Sequence, residues 1–258
     1  MTSAHQHIYG GLAADLHGGV DDGRPPLVFL HGLTYNRRQW DAVRAELPAG
    51  RRVLALDLPG HGDSPGRDTY DLDAVAATVH QAVTETGLDA PVVVGHSIGG
   101  VLATIYAASY PARGVVNVDQ PLLAGPFADM LRTAEPVLRS PAYLQIWERL
   151  TAGMGIDQLP PTAQDLVRNA STPRQDLFLG YWDELLSRPA EGLRERREHD
   201  LTTLDAQGVP YRHVSSQELP PAYRAWLHSV LPDADLTVLA SVSHFPHLSH
   251  PSELAALL

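Results

Sequence analysis

The chain has 258 residues, with 30 Asp and Glu against 19 Lys and Arg, a formal net charge of −11 at pH 7, and no cysteine. That balance disfavours nucleic acid and anionic membrane as partners, and without cysteine there is neither a disulfide framework nor thiolate chemistry. Residues 1–10 lack the basic and apolar stretches of a signal peptide, and no apolar run approaches the roughly 20 residues of a membrane span, so a cytoplasmic protein is expected.

Residues 7–17 read as an opening strand pair around Gly10-Gly11, and residues 18–26 as a polar turn. Leu27-Val28-Phe29-Leu30 is a short, wholly apolar run, as expected of a parallel strand buried on both faces. Trp40, Val43 and Leu47 follow at helix-compatible spacing, with Trp40 read as packing. Val53-Leu54-Ala55-Leu56 is the next buried strand. Asp71 then caps a helix reaching about Gly87, with Leu72, Val75, Ala76, Val79 and Val83 on one face. Val92-Val93-Val94 and the run from Gly114 to Val118 are two further strands. Alternating strands and helices imply a parallel sheet with right-handed crossovers. Residues 121–205 break the alternation with a helical pattern interrupted by prolines, and read as a cap inserted into a core made of residues 1–120 and 206–258. The alternation resumes with a strand at 209–215, a helix at 221–230, a strand at 235–240 and a last helix opened by Pro251.

The most informative stretch is Gly95-His96-Ser97-Ile98-Gly99-Gly100, which joins the strand at 92 to a helical run beginning at Val101. A strand that turns into a helix through one serine holds that hydroxyl out at the end of the sheet. The turn is tight, so its neighbours must be small. His31, Asp57, Ser97 and Asp119 all fall at or near strand carboxyl ends, where ligands bind in such sheets.

With Leu30-His31-Gly32, the loop Asp57-Leu58-Pro59-Gly60-His61-Gly62-Asp63-Ser64, the Gly95-to-Gly100 turn and Ser243-His244-Phe245-Pro246, the chain resembles the α/β-hydrolase superfamily over essentially its full length. The C-terminal third is also similar to a smaller group that includes cofactor-independent dioxygenases of quinolone-type rings. The carriers there are Val209-Pro210-Tyr211-Arg212-His213-Val214, Ser216-Gln217 and His244-Phe245-Pro246.

The resemblance implies a mostly parallel sheet flanked by helices and a catalytic set in the chain order serine, acid, histidine. Ser97 is the nucleophile and His244 its base, with His247 and His250 as rivals. The spacing of these three histidines could suggest zinc, but a zinc site is not expected, because no helix holds all three on one face and no fourth ligand stands out. Two carboxylates compete for the acid. Glu218 lies near the commoner position but about three residues late, in Ser215-Ser216-Gln217-Glu218-Leu219-Pro220-Pro221. Asp119 is favoured, because it matches the alternative position of the acid in some members, including the dioxygenase-like group; its apolar lead-in Val115-Val116-Asn117-Val118 also makes a buried site, and a buried carboxylate needs a partner such as His244. The N–H groups of Leu33 and Ile98 are expected to hold an oxyanion. His31 is read as bracing the Leu33 loop, His96 as packing behind the turn, and the Asp57-to-Ser64 loop as structural. Tyr143, Trp147, Phe178, Tyr181 and Trp182 either line a pocket or fill the interior of the cap.

Three functions fit these residues. The first is a serine hydrolase cleaving a small-molecule ester or lactone without cofactor or metal. The second is a cofactor-free dioxygenase in which a His–Asp pair deprotonates a hydroxylated heteroaromatic ring. The third is a hydrolase-fold protein that binds a ligand without turnover. The sequence leaves the substrate and the oligomeric state open.

Overall fold

The computed structural model describes residues 7–19 and 23–258. Part of the turn expected at 18–26, residues 20–22, therefore lies outside the described residues, as does most of the N-terminal stretch. Strands β1 (His7–Tyr9) and β2 (Leu12–His17) form the opening pair. β3 (Leu27–Leu30), a short 3-10 turn at Arg37–Trp40, α1 (Asp41–Glu46), β4 (Val53–Leu56), α2 (Leu72–Glu85), β5 (Val92–His96), α3 (Ile98–Ser109) and β6 (Gly114–Val118) follow.

Six helices stand between β6 and the next strand: α4 (Gly125–Leu138), α5 (Leu144–Ala152), α6 (Pro161–Ala170), α7 (Gln175–Tyr181), α8 (Asp183–Ser187) and α9 (Ala190–Gln207). The prolines punctuate them as chain geometry requires. Pro126 and Pro161 sit in first turns, Pro160 and Pro189 at N-caps, and Pro141 and Pro173 between helices; Pro136 lies in the last turn of α4. The chain closes with β7 (Tyr211–Ser215), α10 (Pro221–Val230), β8 (Asp235–Val238), α11 (Pro246–Ser249) and α12 (Pro251–Ala256).

The eight strands form one sheet in the order β1-β2-β4-β3-β5-β6-β7-β8. The pairs β1–β2 and β2–β4 are antiparallel; every later pair is parallel. β3, β4 and β5 have apolar side chains on both faces, as their unbroken runs require. Val28, Leu30, Leu54, Leu56 and Val93 face the larger core under α2 and α3. Leu27, Phe29, Val53, Ala55 and Val94 face a smaller one with Trp40, Val43 and Leu254. Trp40 is buried and stacks on Phe29 with ring centroids 4.9 Å apart, which is the packing role the sequence suggested. Asp71 caps α2 through its side chain, accepting the Ala74 N–H at 2.9 Å.

Candidate active site

The turn between β5 and α3 has the shape its glycines dictate. Ser97 takes φ 53° and ψ −126°, a conformation costing a side-chain-bearing residue about 1–3 kcal/mol. A Cβ on Gly95 would overlap the Gly99 carbonyl, and one on Gly99 would overlap that of Leu30. The strained backbone therefore persists because the chain crosses itself too closely for any larger residue. Helix α3 begins at Ile98, so its N-terminus abuts the serine.

Three histidines brace the loops around this turn through hydrogen bonds that fix their tautomers, and a fourth packs behind them. His31 donates from Nδ1 to the Gly32 carbonyl at 2.8 Å and accepts the Leu58 N–H on Nε2 at 2.9 Å. His61 donates to the Pro59 carbonyl and accepts the Thr34 N–H on Nε2, both at 3.0 Å. Thr34 is itself held at φ 73°, directly after Leu33. His96 donates from Nε2 to the carbonyl oxygen of His244 at 2.8 Å. His247 is buried between Trp40 and His96, with centroids 4.8 and 4.4 Å away.

The Asp57-to-Ser64 loop is structural. Asp57 is buried, ion-paired with Arg37, and accepts the N–H groups of Arg37 at 2.7 Å and Asp63 at 2.9 Å.

Asp119 follows β6 with φ 56°. Its Oδ2 accepts from His244 Nδ1 at 2.8 Å and its Oδ1 from the Ser216 N–H at 2.6 Å. Burial raises the Asp119 pKa, but the hydrogen bonds from His244 and Ser216 outweigh it and hold the carboxyl below its ordinary range. With Nδ1 carrying the proton toward Asp119, His244 Nε2 is left bare. Glu218 takes no part in this pairing: its side chain is 79% exposed and lies 3.8 Å from Arg224. The Ser97 hydroxyl donates to Gln120 Oε1 at 3.5 Å rather than to His244. The sequence reading passed over Gln120, whose one signal was its place beside Asp119.

Ser97, Asp119, Gln120, His244, Leu33 and Ile98 line a single cavity of about 880 Å³. The N–H groups of Leu33 and Ile98 make no turn, loop or cap hydrogen bond. The opposite walls come from the helices between β6 and β7 and the turns that join them, through Phe127, Trp147, Met154, Tyr181 and Trp182. Of the aromatics singled out in the sequence, Trp147, Tyr181 and Trp182 thus reach the cavity. Phe178 instead stacks on Trp182 at 5.1 Å, and Tyr143 packs near Phe178 at 5.9 Å. Among the described residues no group of His, Cys, Asp and Glu is arranged to hold a metal ion, and no helix is long and apolar enough to cross a membrane.

The buried imidazoles carry a prediction about acid. Burial lowers His31 and His213 to about 4 and His247 to about 3, from an ordinary 6.5, and His61 and His96 also lie well below it. Protons therefore bind the unfolded chain first. The stability these groups contribute is full above pH 6.5 and is lost as pH falls toward 4. Each of His31, His213 and His247 costs about 2 kcal/mol by pH 5, against a typical total of about 5–15 kcal/mol. Urea unfolding should show a lower midpoint at pH 5 than at pH 7, with replacement of His247 by phenylalanine shrinking the difference. An unchanged midpoint would mean these rings are protonated in the folded chain.

The sheet order, the strained serine and the carboxylate–histidine pair define a hydrolase-type α/β enzyme, and the comparisons agree. Residues 27–257 match the model of the alpha/beta hydrolase family, and the chain belongs to that family as a hydrolase. It is 30% identical over 252 residues to a pimeloyl-[acyl-carrier protein] methyl ester esterase of Neisseria meningitidis serogroup C, spanning 92% of this chain and 93% of that protein. Among solved structures, AqdC in complex with the Pseudomonas quinolone signal, whose ring it cleaves, superposes with a TM-score of 0.79 at 20% identity, covering 98% of this chain and 96% of that one. The enol-lactonase from Burkholderia xenovorans LB400 gives 0.76 at 16% identity, covering 98% and 97%. At such identities the two structures speak for the fold alone.

Proposed function

We propose that this enzyme hydrolyses a carboxylic ester or lactone through an acyl-enzyme on Ser97, with residues 121–205 acting as a cap over the site. The observation that carries this reading is the Asp119–His244 pair at 2.8 Å, which leaves a bare Nε2 in the same cavity as a serine held out on a strained turn. A serine hydroxyl needs such a base before it can attack. The Ser97 hydroxyl turns from Gln120 to His244, gives up its proton to Nε2 and bonds to the carbonyl carbon. The carbonyl oxygen takes the negative charge and is held by the Leu33 and Ile98 N–H groups, which make no turn, loop or cap hydrogen bond among the described residues. His244 then passes its proton to the leaving alkoxide oxygen. In the second half His244 takes a proton from water, whose oxygen bonds to the acyl carbon, and returns it to Ser97 Oγ as the acyl–serine bond breaks and the acid is released. Asp119 stays ionised throughout and stabilises the imidazolium. The aromatic and aliphatic cap wall favours a bulky apolar acyl or alcohol portion. The esterase relative acts on a bond type this reading requires.

A cofactor-free dioxygenase is the second reading, and one observation favours it: the Ser97 hydroxyl points to Gln120, leaving a His–Asp pair free to deprotonate a ring hydroxyl. Turnover of p-nitrophenyl esters under anaerobic conditions separates the two. Hydrolysis without oxygen supports the acyl-enzyme. Oxygen uptake with a hydroxyquinolone that survives replacement of Ser97 by alanine supports the alternative.

A further inference from the structure

The His244 peptide is held from two directions. Its carbonyl accepts from His96, in the turn that carries Ser97, at 2.8 Å. Its N–H donates to the Met154 carbonyl at 2.9 Å, and Ser243 Oγ donates to the same carbonyl at 3.2 Å. Met154 lies just beyond α5, within the helical insertion, 90 positions before His244 in the chain. Beside it Gly155 takes φ 64°, and a Cβ there would overlap the Val242 carbonyl oxygen and stand 3.0 Å from Ser243 Cα. Glycine is therefore required twice over, by the backbone conformation and by the approach of the loop that carries the histidine.

We propose that the Met154–Gly155 turn is a positioning element for His244, so that the insertion that walls the cavity also sets the base against Asp119 and Ser97. This rests on His244 being the base. The imidazole is slung between the serine turn and the insertion, and any displacement of the insertion is transmitted to it through the Met154 carbonyl. A misplacement of about 1 Å in such a group can cost on the order of 100-fold in rate.

Gly155→Ala and Gly208→Ala form the test. Gly208 has φ 65° but nothing within 4 Å of a would-be Cβ, so it reproduces the backbone strain without the collision. Both variants should lose thermal stability through the backbone strain, Gly155→Ala the more because of its collision. Gly155→Ala should also lower kcat on a p-nitrophenyl ester by about 10- to 100-fold with KM within about twofold, and slow fluorophosphonate labelling of Ser97 by the same factor, whereas Gly208→Ala leaves kcat within about twofold. Should Gly155→Ala fail to fold, Ser243→Ala decides: it removes one of the two bonds to Met154 and should lower kcat by about 3- to 10-fold at unchanged KM. An unchanged kcat in these variants, alongside loss of turnover in His244→Ala, overturns the positioning role and leaves the reading of His244 intact. Full turnover in His244→Ala overturns both.

Discussion

Ser97→Ala should lower kcat/KM on an activated ester by about 10⁴- to 10⁶-fold while leaving the melting temperature within a few degrees of the parent. The size follows from what is removed. With the hydroxyl gone no acyl-enzyme forms, and what survives is binding plus whatever the Leu33 and Ile98 amides give to attack by water. The fold should tolerate the change, because the hydroxyl makes one hydrogen bond, to Gln120 at 3.5 Å. Alanine also has no more difficulty than serine with φ 53°. Steady-state kinetics with a tightly purified variant reads the loss. A reduction of less than about tenfold would assign the chemistry elsewhere, and the His–Asp pair acting alone would be the first place to look.

Asp119→Asn should cost about 10³- to 10⁴-fold in kcat, whereas Glu218→Gln should stay within about threefold. In the asparagine variant Oδ1 can still accept the Ser216 N–H, which leaves the amide NH₂ facing His244 Nδ1. Nδ1 must then be the bare nitrogen, and the proton moves to Nε2, where it blocks removal of the serine proton. The geometry survives and the tautomer is wrong. Glu218 is exposed and pairs at 3.8 Å with Arg224, so its neutralisation changes little near the base. Kinetics of the two variants side by side decide between the carboxylates; the opposite ranking would return the acid to the turn after β7.

Much of this arrangement was readable in the chain because its signals are local. Four-residue apolar runs at 27–30 and 53–56 can be satisfied only by strands covered on both sides, and both are. Gly95, Ser97 and Gly99 encode a sharp turn within five residues. The pairing of Asp119 with His244 was legible for a different reason: the resemblance puts the acid of some members at this strand end, and a carboxylate after Val115-Val116-Asn117-Val118 needs a buried partner. What escaped notice depends on contacts between distant segments. The role of His96 is a bond to a carbonyl 148 residues away, and Met154 reaches the His244 loop across 90. Neither leaves a mark on local composition, and backbone acceptors carry no residue identity at all. The helical character of residues 121–205 was legible, but what anchors its last helix was not. Along α9 only Leu193, Leu201 and Leu204 supply a buried apolar stripe, and the helix is tied to its neighbours instead by Arg197 to Glu184 of α8 at 3.0 Å and by Arg196 to Asp73 of α2. A charged helix anchored by ion pairs reads in sequence as a solvent-facing one.

The most direct test of the account is the mass of the protein after treatment with a fluorophosphonate, followed by peptide mapping. The account predicts one adduct per chain, on the peptide that carries Ser97, formed rapidly in the parent and not in His244→Ala. Ester turnover by a chain that acquires no adduct on Ser97, or labelling that proceeds undiminished without His244, would contradict it.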